Sequence, residues 1–240
     1  MTFGNPVIKS SKRKEDKDMT SILFQGDSLT DAGRDREGKE NNLRFGDGYV
    51  NYVAANLMCD HPGVRIFNTA IAGNRITDLY GRWIEDTLNI DFDILSLLCG
   101  VNDIGYALRL NQGADAEKFE FVYDRMLYEV MKEKPEAKLV LCEPFLFKLD
   151  INEVKGGQDI IENWDIWNGH MLERRAIVKS LAEKYRAVFV PFGQRFEEAC
   201  EAAPAKHWSS DGIHLTMAGN ALMAREWLKC VKGDPNVSIR

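Results

Sequence analysis

The 240-residue chain lacks any run of about 18 apolar residues that could span a bilayer, and its N-terminus lacks the apolar stretch of a secretory signal. Membrane insertion is therefore not expected, and the cytoplasm is the expected compartment. The chain is poor in cysteine as well: Cys59, Cys99, Cys142, Cys200 and Cys230 are odd in number, widely spaced and set in apolar runs. That pattern excludes a disulfide framework and reads as reduced core residues. Basic excess is missing too. Lys and Arg number 31 against 37 Asp and Glu, a net charge of −6, and no basic stripe is present, so nucleic acid is not an expected partner. Among the histidines, His61, His170 and His207 include no pair at metal-ligand spacing with an acidic partner. Neither a metal nor a cofactor is expected, and no internal repeat or low-complexity tract appears.

What the chain does have is 45% hydrophobic residues, enough for a full core. Residues 9–18 (KSSKRKEDKD) mix both charge signs without apolar positions and cannot offset ordering entropy. Residues 1–18 are thus expected to form a flexible charged tail, with Met19 as an alternative start, and residues 19–240 one globular domain. Short β-branched and leucine-rich runs at 22–24, 64–67, 94–98, 139–142 and 188–190 read as five strands. Ile76, Leu79, Tyr80, Trp83, Ile84 and Leu88 share one helical face, as do Phe119, Val122, Tyr123, Met126, Leu127, Val130 and Met131. Residues 49–58, 159–185, 194–202 and 216–231 complete the helices. Strands separated by crossover helices must lie parallel, which predicts a doubly wound α/β sheet with helices on both faces. The connections at 31–48 and 145–158 are long for such a fold and are expected to serve a site.

The first strand runs out into Gly26-Asp27-Ser28-Leu29-Thr30, which puts a serine at the carboxyl edge of the sheet, where open α/β folds bind ligands. A serine hydroxyl becomes a useful nucleophile only when a base takes its proton and a third group orients that base. Asp211-Gly212-Ile213-His214 supplies both on one short segment, since a carboxylate three residues before the histidine can accept the Nδ1 proton and leave Nε2 facing Ser28. Ester hydrolysis also needs donors aimed at the developing oxyanion. The second strand ends near Gly73, whose N–H no β-carbon screens, and the third ends in Gly100-Val101-Asn102-Asp103, which offers a side-chain amide. Ser28, Gly73 and Asn102 are the expected oxyanion donors. Taken singly, Ser28 reads better as a helix cap, Gly73 equally as a turn glycine and Asn102 equally as a turn or cap residue. Asp27 and Asp103 read as structural hydrogen bonders, Cys99 as a buried strand cysteine, and Trp164 and Trp167 as core.

These residues carry a resemblance. Gly26-Asp27-Ser28-Leu29, Gly73, Asn102 in GVND and Asp211-Gly212-Ile213-His214 resemble, in order, the four signature blocks of the SGNH hydrolases, the GDSL esterases and lipases, over about residues 21–231. The resemblance implies a flavodoxin-like three-layer α/β sandwich with a five-stranded parallel sheet. It also implies a Ser28–His214–Asp211 triad working through an acyl-enzyme, and an oxyanion hole of Ser28, Gly73 and Asn102. The stretches 26–34, Gly48-Tyr49-Val50, Gly73-Asn74 with Asp78-Leu79, and Arg82-Trp83 with Glu85-Asp86 are further similar to intracellular acetylxylan esterases, which deacetylate xylo-oligosaccharides. Those enzymes often carry an aromatic residue directly before the triad aspartate. Here Ser210 stands there, with Trp208 two positions earlier. Arg34 and Trp208 are the candidate substrate contacts, and the expected partner is a small-molecule or oligosaccharide ester. A lipid-like ester, handled by a short-chain esterase, thioesterase or lysophospholipase, is the rival enzyme reading. A flavodoxin-like phosphate-binding module is the non-enzyme one, and it leaves Asp211 and His214 without a task. Whether the chain is a monomer or a homo-oligomer stays open.

Overall fold

The structure, a computed structural model, describes residues 19–37, 44–150 and 157–240. The tail expected at 1–18 and parts of both long connections lie outside the described residues. Five strands, β1 (Ser21–Gly26), β2 (Arg65–Asn68), β3 (Ile94–Leu98), β4 (Lys138–Cys142) and β5 (Val188–Val190), form one all-parallel sheet in the order β2-β1-β3-β4-β5. The helices between them are α1 (Ser28–Asp31), α2 (Tyr49–Asp60), α3 (Ile76–Gly81), α4 (Val101–Leu110), α5 (Ala116–Glu133), α6 (Gln158–Glu162), α7 (Trp164–Tyr185), α8 (Phe192–Ala202), α9 (Ala205–Trp208) and α10 (Met217–Gly233). None of them is long and apolar enough to cross a membrane.

Strand side chains alternate between two apolar layers, as the pleat requires. Ile22, Phe24, Ile94, Leu98, Val140 and Val190 face α2, α8 and α10, where Tyr49, Phe192 and Trp227 are fully buried. Leu23, Leu95, Leu97, Leu139 and Leu141 face α3, α5 and α7. Each buried side chain of this size contributes on the order of 2 kcal/mol, so the two faces together fix the layers. The one polar residue in the middle of β3, Ser96, accepts a 3.0 Å hydrogen bond from Trp227 Nε1.

Three expectations need correction, and one helix went unread. The helix read across residues 76–88 ends at Gly81, and Ile84–Leu88 continues as a π-helical turn. Ile84 and Tyr80, both expected inward, are exposed, Ile84 to 66%, while Trp83 stays buried. The helix read across 159–185 is interrupted at Asn163, whose backbone (φ −116°, ψ 32°) leaves the helical region between α6 and α7. Helix α4 had no expectation at all, because its buried face comprises Val101, Asp103, Ile104 and Gly105, of which only two are apolar side chains. Finally, Cys99 and Cys142 are core residues, but Cys59 is exposed, off the buried stripe of α2 formed by Val50, Val53, Ala54 and Leu57.

Adjacent strands approach closely at the end of β1. A β-carbon on Gly26 would lie 2.3 Å from the Leu98 carbonyl oxygen and 2.7 Å from Thr30 Oγ1. Gly26→Ala should therefore cost about 1–3 kcal/mol through overpacking. Thermal unfolding should show it as a fall of several degrees in Tm; an unchanged Tm would contradict the tight approach.

Candidate active site

Chain reversal after β1 is sharp. Asp27 is the N-cap of α1, with its Oδ1 accepting from Leu29 N at 3.1 Å, and Ala32 closes the short helix in the left-handed region. Because Asp27 does the capping, the Ser28 hydroxyl is available, and its Oγ lies 3.0 Å from His214 Nε2. The contact joins residues 186 positions apart in the chain. Asp27 is itself buried, and that burial pushes its carboxyl up to about 7, against the Leu29 N–H and the nearby His214 ring, which favour ionisation.

The imidazole comes from the turn before α10. Asp211 Oδ2 lies 2.7 Å from His214 Nδ1, while Oδ1 accepts from His214 N at 2.7 Å and Ile213 N at 2.9 Å. The turn is seated by a bridge between Ser209 and Leu215, by Phe147 N donating to Gly212 O at 2.9 Å, and by Gly212 N donating to Ser209 Oγ at 3.0 Å. Burial raises the Asp211 carboxyl, but the His214 ring and the two backbone donors outweigh it and hold the group below its ordinary value. The hydrogen bond from Asp211 raises His214, against a smaller opposing effect of burial. Half of the His214 side chain remains exposed, so the ring is reachable from solvent.

Two further loops flank α1. Segment 69–76 after β2 is fastened by Ile71 N to Gly26 O (3.2 Å) and Ala72 N to Asp31 Oδ2 (2.8 Å). Gly73 takes φ +80°, a conformation that favours glycine, and a β-carbon there would stand 3.6 Å from the Tyr106 hydroxyl. At the start of α4, Asn102 Nδ2 donates to Asn74 O at 3.1 Å, which ties the third loop to the second and leaves one amide hydrogen for another acceptor. Its neighbour Asp103 is fully buried and accepts from Ile76 N with both oxygens at 3.1 and 3.2 Å. Burial pushes the Asp103 carboxyl up to about 7. Cys99 beneath it is raised well above an ordinary thiol, first by burial and then by Asp103, which makes it a poor nucleophile.

Ser28, His214 and Asp211 are thus brought into one hydrogen-bonded chain, with the Gly73 and Asn102 loops linked through Asn74. Arg34 directs its Nε to Ala70 O at 3.0 Å, and Trp208 directs its Nε1 to Ala199 O and Ala203 O. Both polar edges serve the frame. Among the described residues no group of three His, Cys, Asp or Glu could hold a metal. A polar hollow of about 270 Å³ is lined by Asp47, Asn51, Tyr52, Met217, Asn220 and Leu215, the residue after His214, while a more apolar one of about 420 Å³ lies beyond Phe147 toward Trp164 and Phe196. Residues 25, 74 and 82, which hold these loops, were given no role in the sequence reading, where Asn74 and Arg82 stood only among the stretches similar to acetylxylan esterases.

A chain in which a serine hydroxyl meets an imidazole held by a carboxylate can activate that hydroxyl for attack on a carbonyl. His214 should titrate above the ordinary histidine value of 6.5, as read from its ring signals by NMR. Ionised Asp27 adds to that rise, so Asp27→Asn, which keeps a capping side chain, should move the midpoint down. An unmoved midpoint would disconnect Asp27 from the ring.

Comparison with known proteins agrees with this geometry. The model of the GDSL-like Lipase/Acylhydrolase family matches residues 24–222. An acetylxylan esterase of Geobacillus stearothermophilus is 30% identical over 213 residues, covering 87% of this chain and 92% of that one. The crystal structure of an acetylxylan esterase from the same organism superposes with a TM-score of 0.76 at 28% identity, over 92% of this chain and 97% of that one. Alanine variants of that esterase at a serine, an aspartate and a histidine have been solved as catalytic mutants. A Parabacteroides merdae structure assigned to the GDSL-like lipases superposes with a TM-score of 0.79 at 34% identity, over 90% and 96% of the two chains. With the family model spanning most of the chain and a curated relative matching across it, the protein belongs to the GDSL-like lipase/acylhydrolase family and is a carboxylic ester hydrolase.

Proposed function

We propose that the protein removes acetyl groups from carbohydrate, with acetylated xylo-oligosaccharides as the substrate class, through an acyl-enzyme on Ser28. The observation that carries the mechanism is the Ser28 Oγ to His214 Nε2 contact of 3.0 Å, continued at 2.7 Å to Asp211. His214 takes the Ser28 proton as Oγ attacks the ester carbonyl, then returns it to the departing alcohol. Water, deprotonated by the same ring, releases the acid. The oxyanion of each tetrahedral intermediate is held by Ser28 N, Gly73 N and Asn102 Nδ2. Asp211 keeps the ring in the tautomer with Nε2 unprotonated and stabilises the imidazolium.

The acetylated-sugar reading draws on the Geobacillus stearothermophilus relative, named as an acetylxylan esterase and, in one solved variant, as an acetyl-xylooligosaccharide esterase. The hollow lined by Asp47, Asn51, Tyr52 and Asn220 fits the alcohol side of such a substrate: a carboxylate and two amides match sugar hydroxyls, and an aromatic ring matches a sugar face. What Arg34 and Trp208 could offer a substrate is narrowed to the terminal amino groups of the one and the ring face of the other.

A panel of acetylated xylo-oligosaccharides and aryl esters of increasing acyl length tests this reading. Turnover should fall as the acyl chain lengthens, and Tyr52→Ala should raise KM for the oligosaccharide far more than for aryl acetate. Activity that rises with acyl length would replace the sugar reading with the lipid-ester one. Asn102→Ala should lower kcat by about 10²- to 10³-fold, the cost of one oxyanion donor. Since only neutral imidazole acts as base, activity should be lost on the acid side with a midpoint above 6.5.

A further inference from the structure

Arg82 lies outside the serine–histidine–aspartate chain, yet its guanidinium makes four hydrogen bonds to the frame beneath it. Nε donates to Asn74 Oδ1 at 2.8 Å, Nη1 to Thr69 O at 2.8 Å and to Asp86 Oδ2 at 2.7 Å, and Nη2 to Gln25 Oε1 at 2.8 Å. Its side chain is only 16% exposed. Three of the four partners, Asn74, Thr69 and Gln25, lead to the segments that carry the oxyanion donors. Asn74 follows Gly73 in the chain, and its carbonyl receives the Asn102 amide at 3.1 Å. Gln25 Oε1 also accepts from Gly26 N at 3.1 Å, two residues before Ser28. Thr69 O anchors the start of the segment that carries Gly73.

The π-helical turn finds its reason here. In five residues it delivers the Asp86 carboxylate to Arg82, the Asp86 carbonyl to Thr69 Oγ1 at 2.9 Å, and the Thr87 hydroxyl to Gln25 Nε2 at 3.1 Å. Gln25 Nε2 closes the ring by donating to Thr69 Oγ1 at 3.1 Å. An ordinary helical turn would present these groups at different angles, and wide turns of this kind are enriched at functional sites.

We propose that Arg82 is the positioning residue of the oxyanion hole: its planar fork fixes the ends of the loops that present Ser28 N, Gly73 N and Asn102 Nδ2. This rests on the oxyanion assignment under Proposed function. Arg82 touches no reacting atom and acts through Asn74, Thr69 and Gln25. Lysine keeps the charge but has no fork, so it cannot hold three acceptors in one plane.

The test measures Arg82→Lys, Asn102→Ala and the double variant on aryl acetate. Arg82→Lys should lower kcat by about 10²-fold, the scale of a displaced oxyanion donor, with KM nearly constant and the acid-side pH midpoint unmoved. Because both changes disable one device, the double variant should turn over no more than a few-fold below Asn102→Ala alone. Multiplying losses, a shifted midpoint or an effect confined to KM would overturn the proposal. An Asn102→Ala enzyme with parental kcat overturns the oxyanion assignment and this proposal with it, whereas losses that multiply leave the assignment standing. Should Arg82→Lys fail to fold, Asn74→Ala, which removes only the Nε acceptor, should lose about 10-fold in kcat. Asn74→Asp, which restores an acceptor oxygen, should recover most of that loss; equal activity of the two variants would overturn the proposal.

Discussion

Strand β1 is hydrogen-bonded in parallel to both β2 and β3, with Phe24 level with Asn68 and Gly26 level with Leu98. Parallel strands all emerge at one rim, so the serine turn necessarily opens between the segments that follow its two neighbours. Every later feature depends on this. Segment 69–76 lies on one side of α1 and the start of α4 on the other, and the turn carrying His214 reaches the same rim from the far end of the chain. The apolar layers on the two faces hold the register, because a slip by one residue would turn Leu23 and Leu95 toward the wrong layer.

Segment 69–76 shows how a loop without a ladder is held in place. Backbone polar groups near the core need partners, and here side chains provide them. Arg34 takes Ala70 O, Asp31 takes Ala72 N, Arg82 takes Thr69 O and the Asn74 side chain, and Asp103 takes Ile76 N. Anchors arrive from α1 and the residues after it, from the residue that closes α3 and from α4, so the loop's shape is set by several elements at once. The buried carboxyls of Asp27 and Asp103 lie on either side of this frame, each accepting a backbone N–H near a helix start.

The strands were legible because each is a short apolar run bounded by polar residues, and parallel burial on two faces leaves that mark. The Ser28, Asp211 and His214 chain was legible because histidine is scarce, four in the chain, and the three-residue spacing of Asp211 and His214 suits one chemistry. Helix α4 escaped because Asp103 and Gly105 occupy its inner face: one carries a hydrogen bond and the other makes room for Trp167, whose ring would lie 3.2 Å from a β-carbon there. The π-helical turn escaped for a related reason. Its register answers to Gln25 and Thr69, about 15 to 60 residues earlier in the chain, and apolar periodicity contains no trace of them.

Asp211 and His214 sit on one short turn, and a single carboxylate oxygen receives both the His214 and the Ile213 backbone N–H. Imidazole and carboxylate therefore travel as a single rigid piece, whereas the serine belongs to another part of the molecule. Any breathing between the sheet's first strand and the last helix would stretch the serine–imidazole bond and leave the imidazole–carboxylate bond intact. The ring would keep its tautomer and its tilt throughout, ready to re-engage the hydroxyl the moment the two parts close again.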